Sequence, residues 1–471
     1  MTVDVHADPA SFRDPAGRVM HCDGRVFRAL TQRGAGAWKL AAPAAEQLIA
    51  KGMLAGTREL APGDVPDGLR QSAPDAVMFL EHERVDFIAQ PAEWTAAMLA
   101  DAALLTLEIQ LALLPHKLSL QDATAYNVAF RDGKPLFLDA GSIVQPARLD
   151  VWYALGQFQR MFLYPLMLVS RGFTPADVFL SSLDGVTPSR MARALGRLGW
   201  LRPSLLTSVY LPAWLEGGKA GGKAGGAGAQ AGGAPTGNPE VQATILRANA
   251  RRVQRMRDKY QPRGVWVDYR NQHSYSDADE KAKREVVQAF AARHAGKHVI
   301  DLGANTGAYS RICLQQGCRV LAADLDHDAL DVFYREAGRE GLKGIAFART
   351  NLANPTPAIG YMNLERPSFL QRARGDAAIA LALCHHLLVS AGLTLPQVAR
   401  LLAGFAPSLL VEWVAPDDPM FKQLTAGREN LWASLTAEDF VSAMAQAGHK
   451  HKAEHQTGKA TRTLMEFEAN G

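Results

Sequence analysis

From Lys281 onward the chain alternates short apolar runs with stretches whose apolar residues recur every three to four positions. The runs "HVIDLG", "RVLAADL", "GIAFART", "DAAIALAL" and "SLLVEWV" have the length and β-branched content of buried strands. Between them, "YSRICLQQG", "DALDVFYREAGREG", "LPQVARLLAGFA" and "TAEDFVSAMAQAG" have helical spacing, and an amphipathic helix over Lys281–His294 precedes the first strand. The extended "TRTLMEFEA" closes the chain. Apolar strands alternating with helices predict a doubly wound, parallel α/β sheet covered on both faces.

The N-terminal half has a different pattern. The segment "TAAMLADAALLTLEIQLALL" reads as a helix, and "YNVAF" and "PLFLD" as two short strands joined by an Arg-Asp-Gly-Lys hairpin turn. This half is therefore mixed α+β. The stretch "EGGKAGGKAGGAGAQAGGAPTGNPE", Glu216 to Glu240, cannot bury enough surface to offset its ordering entropy. Three parts are expected: a domain over 1–215, a flexible Gly/Ala-rich linker over 216–240, and the α/β domain over 241–471. A length of 471 residues agrees with two or three cores.

Composition narrows the function classes. With 48% hydrophobic and 21% charged residues and a net charge of +4, nothing in the balance demands a nucleic-acid partner. The basic stretch "RANARRVQRMRDKYQPR", Arg247 to Arg263, reads as a solvated helix face, with phosphate contact as the alternative. No base-stacking aromatics lie within it to serve single-stranded nucleic acid. Of the four cysteines only Cys313 and Cys318 are close, on one expected helix, and there is no CxxC pair, so neither a disulfide framework nor a metal site is expected. No apolar N-terminal segment reads as a secretory signal, and the most apolar stretch is interrupted by Asp101 and Glu108. A soluble, cytoplasmic protein without membrane partners is expected.

Candidate chemistry centres on "DLGANTG" between the first strand and its helix. Gly303 and Gly307 let the backbone approach a ligand closely and tolerate positive φ, and Asn305 is the next most tolerant residue type. A dinucleotide fingerprint would read G-x-G-x-x-G, whereas this turn reads G-x-N-x-G with Asp301 two positions before it. An acid there disfavours a pyrophosphate and suits a ligand bearing an amino group and a sulfonium. Asp324 ends the second strand, twenty-one positions after Gly303 (324 minus 303), where a carboxylate can accept both ribose hydroxyls. Asn351 and Leu352, after the third strand, are placed to border an adenine ring.

The segments "VIDLGANTGAYS" and "VLAADLD" resemble motif I and the following acidic strand end of class I S-adenosylmethionine-dependent methyltransferases. The resemblance runs from about Trp266 to Phe467. More narrowly, "WVDYRNQHSYSDADEKAKREVV", "ALALCHHLLVS" and "LLVEWVAPDDPMF" are similar to a bacterial methyltransferase group labelled nodulation-protein-related, which carries a long N-terminal region. It implies a Rossmann-like domain with S-adenosylmethionine as cofactor. Asp301, Gly303, Asn305 and Gly307 would lie around its methionine portion, with Asp324 on the ribose. In this family Tyr269, Tyr275 and Ser276 would belong to a lid over the cofactor, with aromatic packing as the alternative.

Methyl transfer needs an aligned acceptor and, where the nucleophile carries a proton, a base. The fourth strand's carboxyl end brings His385 and His386 beside the donor, either as acceptor-facing bases or as strand-end packing. Past the fifth strand, Glu412, Asp417 and Asp418 fall near the same rim. There the acid pair is expected to be a solvated turn, or else to attract a cationic acceptor.

In the N-terminal half, Asp122, Asn127 and Asp139 within "SLQDATAYNVAFRDGKPLFLDAGS" resemble the catalytic loop and metal-binding turn of protein kinases and antibiotic phosphotransferases. That resemblance covers about fifty residues. "RGAGAWK", Arg33 to Lys39, is a poor substitute for a phosphate loop, and no lysine sits on a V-A-I-K strand. The sequence supports a methyltransferase acting on an unidentified acceptor, a small molecule rather than nucleic acid, with a degenerate kinase-like module for acceptor or partner binding. The alternatives are a bifunctional protein whose N-terminal half moves a phosphoryl group, a non-catalytic S-adenosylmethionine-binding sensor or scaffold, and, less well matched, an NAD(P)-dependent oxidoreductase.

Overall fold

A computed structural model of the chain describes residues 5–217, 234–263, 277–429 and 431–470. It divides into two compact units: Met1–Phe130, Lys134–Gln261 and Ile359–Arg366 form the first, and Arg131–Gly133, Pro262–Ala358 and Pro367–Gly471 the second. The central part of the expected linker, 218–233, lies outside the described residues.

The first unit opens with a five-stranded antiparallel sheet. Its strands are β1 (Val5–Ala7), β2 (Gly17–Cys22), β3 (Arg25–Leu30), β4 (Thr57–Glu59) and β5 (Met78–His82), in the order β1-β2-β3-β5-β4. Between β3 and β4 runs the helix Gln32–Ala50, started by the Thr31 side chain; it absorbs the "RGAGAWK" segment, which is therefore not a phosphate loop. The helix Ala96–Leu113 follows, its first turn capped by Thr95. It is long and apolar enough to cross a membrane by composition, but Ala97, Met98, Leu99, Leu107 and Ile109 are all completely buried inside the unit. Short strands β6 (Ser119–Leu120), β7 (Val128–Arg131), β8 (Lys134–Phe137) and β9 (Ile143–Val144) come next, β6 pairing with β9 and β7 with β8. Asp132 and Gly133, both at positive φ, make the turn expected of Arg-Asp-Gly-Lys.

The helix Pro239–Lys259 belongs to this first unit, although the sequence reading assigned residues from 241 onward to the second domain. It buries Gln242, Ala243, Leu246 and Val253 against the unit. Gln110 Nε2 donates to Gln242 Oε1 at 2.7 Å, and Arg257 pairs with Asp101. Low-complexity composition marked the tether, but tertiary packing sets the division between Gln261 and Pro262.

The second unit is a seven-stranded sheet. Its strands are β10 (His298–Leu302), β11 (Arg319–Asp324), β12 (Ile345–Arg349), β13 (Ala377–Ala380), β14 (Ser408–Val414), β15 (His449–Gln456) and β16 (Arg462–Ala469), in the order β12-β11-β10-β13-β14-β16-β15. Strands β10 to β14 are parallel; β16 runs antiparallel to β14, and β15 to β16. This is the doubly wound Rossmann-like α/β fold. All seven residues of β14 are buried, as a strand covered on both faces requires. Strand β15, "HKHKAEHQ", is an added edge strand whose charged and histidine side chains discourage further strand pairing. Cys318 lies beyond the helix Ala308–Gln315 that holds Cys313, and all four cysteines are buried thiols. Strand order reverses at β10, which has β11 on one side and β13 on the other, so the crevice where such folds bind ligands opens at the carboxyl ends of these strands.

Candidate functional site

The turn after β10 is built to expose backbone. Gly303 at φ 82° and Gly307 at φ 79° take the left-handed conformation that side-chain-bearing residues resist, and Asn305 joins them at φ 50°. Gly307 is required twice over, because a Cβ there would come within 2.2 Å of the Phe333 ring. Gly303 is required for its φ alone, its nearest neighbour being Leu383 at 3.7 Å from a Cβ. The Gly303 and Ala304 N–H groups donate to the Ala323 carbonyl at 2.8 and 3.1 Å, which ties the turn to the end of β11.

Beneath the turn, Asp301 is 2% exposed and accepts a hydrogen bond from Ser310 Oγ at 2.5 Å. Burial pushes its carboxyl up to about 7 against the Ser310 hydrogen bond, and Asp324 nearby adds to the rise. Asp324 is half-buried at the end of β11. One oxygen accepts the Asn305 N–H at 2.7 Å and the other the Asp326 N–H at 2.7 Å. Burial raises Asp324 to about 6, and the two N–H bonds limit the rise. The Asp324 carbonyl accepts the Thr350 N–H at 2.7 Å, so Asn351 and Leu352 follow at the same edge; Asn351 Oδ1 holds the Ala353 N–H and Leu352 is buried. Asp301, Gly303, Asn305, Gly307, Asp324, Asn351 and Leu352 thus gather at one edge of the sheet. Tyr275, with Tyr269 and Ser276, lies outside the described residues.

A short helical segment after β13 carries the histidine pair: His386 opens the π-helix His386–Ser390 and His385 precedes it. His385 is 3% exposed, stacks near Phe421, and its Nδ1 has no hydrogen-bond partner. His386 is half-buried, with the two rings 4.3 Å apart. Burial pulls both imidazoles below their ordinary range, helped by the Arg462 cation, so both are neutral at pH 7. Of the two, His386 has the more accessible ring.

Two buried ion pairs hold this edge, and neither was legible in the sequence. Lys283 Nζ donates to Glu412 Oε2 at 2.7 Å, with both side chains essentially inaccessible. The same oxygen accepts the Ala382 N–H at 2.7 Å and steadies Ala382 in a left-handed conformation, φ 50°, just ahead of the histidines. Asp418 is completely buried, contrary to the expected solvated turn. Arg462 grips it from Nε at 2.8 Å and from its second terminal nitrogen at 3.0 Å, and Thr461 Oγ1 adds a bond at 2.9 Å. Despite burial, which opposes ionisation, the guanidinium holds the Asp418 carboxyl at about 2. Among the described residues no group of three or more His, Cys, Asp or Glu side chains is arranged to hold a metal ion.

Residues 283–368, which contain this turn and Asp324, match the family model described as FtsJ-like methyltransferase. Across nearly its whole length the chain is 30% identical to the nodulation protein NoeA of Rhizobium meliloti strain 1021, over 461 residues that cover 97% of this chain and 95% of that one. The chain belongs to the NoeA family. This NoeA-family protein is an S-adenosylmethionine-dependent methyltransferase, in agreement with its glycine turn and acidic strand end. Among solved structures it is similar to the N-methyltransferase NodS of Bradyrhizobium japonicum WM9, at 12% identity and a TM-score of 0.31, covering 42% of this chain and 99% of that one. It is also similar to magnesium protoporphyrin IX methyltransferase of Synechocystis PCC 6803, at 15% identity and a TM-score of 0.31, covering 44% and 90%.

Proposed function

We propose that this NoeA-family enzyme methylates a small-molecule acceptor in the cytoplasm, with the donor seated on the turn Gly303–Gly307 and its ribose held by Asp324. The observation that carries this reading is the position of the Asp324 carboxylate. Each of its oxygens takes one backbone N–H and keeps lone-pair capacity for one ribose hydroxyl. Asn351 and Leu352 would border the adenine. Asp301, buried beneath the turn and raised toward neutrality, would ionise more fully when a cationic ligand settles above it.

When bound, the cofactor supplies a methyl group on a sulfonium sulfur, which passes to the acceptor's lone pair as the carbon–sulfur bond breaks. The chain's own task is alignment and exclusion of water. His386, neutral and half-buried, is suited to take the acceptor's proton. His385 is suited to hold the His386 ring, which it stacks against. Near-neutral overall charge, without interleaved aromatics in the basic helix, favours a small acceptor over nucleic acid.

Calorimetric titration of the full chain with S-adenosylmethionine, and separately with NADH, tests the donor assignment. Saturable binding of the first, abolished by Asp324→Ala, with silence from NADH, is expected. Binding that survives Asp324→Ala would remove the ribose assignment. The acceptor is to be sought by mass spectrometry of small-molecule extracts incubated with a labelled methyl donor.

A further inference from the structure

The first unit carries a surface that the reaction above does not use. Residues 188–217 form the helix Pro188–Leu195, a single helical turn Arg197–Leu201 and a helical run from Pro203 to Gly217. Leu198 and Leu201 are each 79% exposed, Trp200 is 50% and Trp214 69% exposed, and Leu211 and Leu215 are exposed as well. Single exposed apolar residues are ordinary on a protein surface, but a cluster with two tryptophans marks a surface that meets a partner.

The fold holds these side chains outward. Gly196, at φ 70°, ends the first helix, and the Tyr210 hydroxyl donates to its carbonyl. Trp200 lies against the Tyr210 ring with centroids 4.7 Å apart, and a Cβ on Gly199 would stand 1.9 Å from the Tyr210 hydroxyl. The turn bearing Leu198, Trp200 and Leu201 is thereby fixed to the run bearing Leu211, Trp214 and Leu215. Those last three are spaced three and four positions apart and share one helical face. The inner side of the run is anchored at Ser208, whose carbonyl accepts the Tyr164 hydroxyl at 2.6 Å and whose hydroxyl accepts Arg252 at 2.9 Å.

Charge decides what the surface fits. From Pro188 to Leu215 the chain carries Arg190, Arg193, Arg197 and Arg202, all exposed, and no acidic residue. The acid that follows, Glu216, is taken up by the Ser189 N–H and hydroxyl at 2.9 and 2.6 Å. The helix Pro239–Lys259, tied to this segment by Arg252, adds Arg247, Arg251, Arg255 and Lys259 at four-residue spacing along an exposed side. A second copy of the chain docked on the same face across a two-fold axis would set the arginines against their own images. Tryptophan and leucine flanked by arginine suit the headgroup region of a bilayer with anionic lipids. There the apolar side chains reach the acyl boundary and each guanidinium meets a phosphate.

We propose that this face docks the protein peripherally on an anionic lipid surface. The expected lack of a membrane partner rested on the lack of a spanning run, and a patch assembled by the fold from short elements leaves no such run. Each basic residue near such a surface strengthens binding roughly fivefold, so the attachment depends on salt.

The test is cosedimentation of the full chain with vesicles of phosphatidylcholine alone and of equal parts phosphatidylcholine and phosphatidylglycerol. Binding to the anionic vesicles is expected to exceed binding to the neutral ones at least tenfold, and to weaken at least tenfold in high salt. Leu201→Ser/Trp214→Ser removes apolar anchors, and Arg193→Glu/Arg197→Glu reverses two charges, all at exposed positions. Each double variant is expected to lose vesicle binding at least tenfold while keeping the parent's melting curve, which shows that it folds. No binding of the parent to anionic vesicles, equal binding to both kinds, or binding unchanged in either variant would overturn the proposal. Self-association without lipid, seen by sedimentation velocity and abolished by Leu201→Ser/Trp214→Ser, would assign the face to a second copy and overturn it too.

Discussion

The Asn305 N–H donates to the Asp324 carboxylate at 2.7 Å, so the glycine turn after the first strand of the sheet and the acid ending the second are one unit. The bond comes from backbone, and Asn305 is there because the left-handed conformation at φ 50° excludes most other residues. Asn305→Gly keeps both the conformation and the donor and is expected to bind S-adenosylhomocysteine within a few-fold of the parent. Asn305→Val, branched at Cβ, is expected to lose roughly 1–2 kcal/mol of stability and at least tenfold in affinity. Equal binding by the two variants would show that the turn conformation does not position Asp324.

Titration of Asp324 gives a pH signature with opposite signs for binding and stability. The proposed ribose contact needs the ionised carboxylate, so affinity for S-adenosylmethionine is expected to level off above about pH 8, where Asp301 is ionised as well, and to fall at least tenfold per unit once pH drops well below about 6. In the free protein the raised value means that the folded state favours the protonated acid. Asp324's contribution to stability is therefore fully present below its ordinary 3.8 and is lost as pH rises through about 6. Asp301, raised to about 7, acts in the same direction. Calorimetric affinities between pH 5 and 8 check the first statement, and melting curves of Asp324→Asn and of Asp301→Asn against the parent check the second. Either variant failing to gain stability relative to the parent as pH rises would contradict the reading for that acid.

The two glycines of the turn are predicted to differ. Gly303→Ala meets only ordinary contact with Leu383 and bears the conformational cost of its φ, about 1–2 kcal/mol. Gly307→Ala must in addition displace the Phe333 ring, for roughly 3 kcal/mol or more in total. Urea unfolding of both variants and of Gly307→Ala/Phe333→Leu measures this, the smaller ring-free side chain recovering part of the loss. Equal cost at 303 and 307 would mean that the Phe333 contact is relieved without strain.

The parts legible in the sequence were those whose signal is local. Strands β10 to β14 and the turn between them stood out because buried parallel strands are apolar throughout and because glycine and acid positions are read at fixed offsets. What was missed depends on contacts between distant residues. Lys283 looked like one more charge on an amphipathic helix, since its partner Glu412 is 129 residues away. Asp418 looked like half of a solvated acid pair, since Arg462 is 44 residues on. Strand β15 is too polar to read as a strand and is held only by pairing with β16. Arg28 carried no motif at all, and only the fold shows it against Asp139.

The Lys283–Glu412 pair tests how the segment leading into the histidines is held. Lys283→Met leaves a buried carboxylate without its counter-charge and is expected to cost about 3–5 kcal/mol. Lys283→Met/Glu412→Gln removes both charges but keeps an acceptor for the Ala382 N–H, and is expected to regain most of that loss. Denaturant unfolding decides. A double variant as unstable as the single would mean that the lysine stabilises through its contact with the Tyr309 ring rather than through its pair with Glu412.

Asp418 gives the opposite pH dependence to Asp324. Arg462, 1% exposed, holds its carboxyl at about 2, below the ordinary 3.8. A depressed value means that the stabilisation is present above pH 3.8 and is lost as pH falls through about 2. Asp418→Asn leaves the Arg462 guanidinium buried without its counter-charge, so at pH 7 it is expected to be less stable than the parent by about 3–5 kcal/mol. As pH is lowered from 5 toward 2 the parent loses its ionised carboxylate and the two proteins converge, whereas between pH 5 and 8 their difference stays constant. Parallel melting curves that keep their spacing down to pH 2 would show that Asp418 serves as a hydrogen-bond acceptor and helix cap, with its charge contributing nothing.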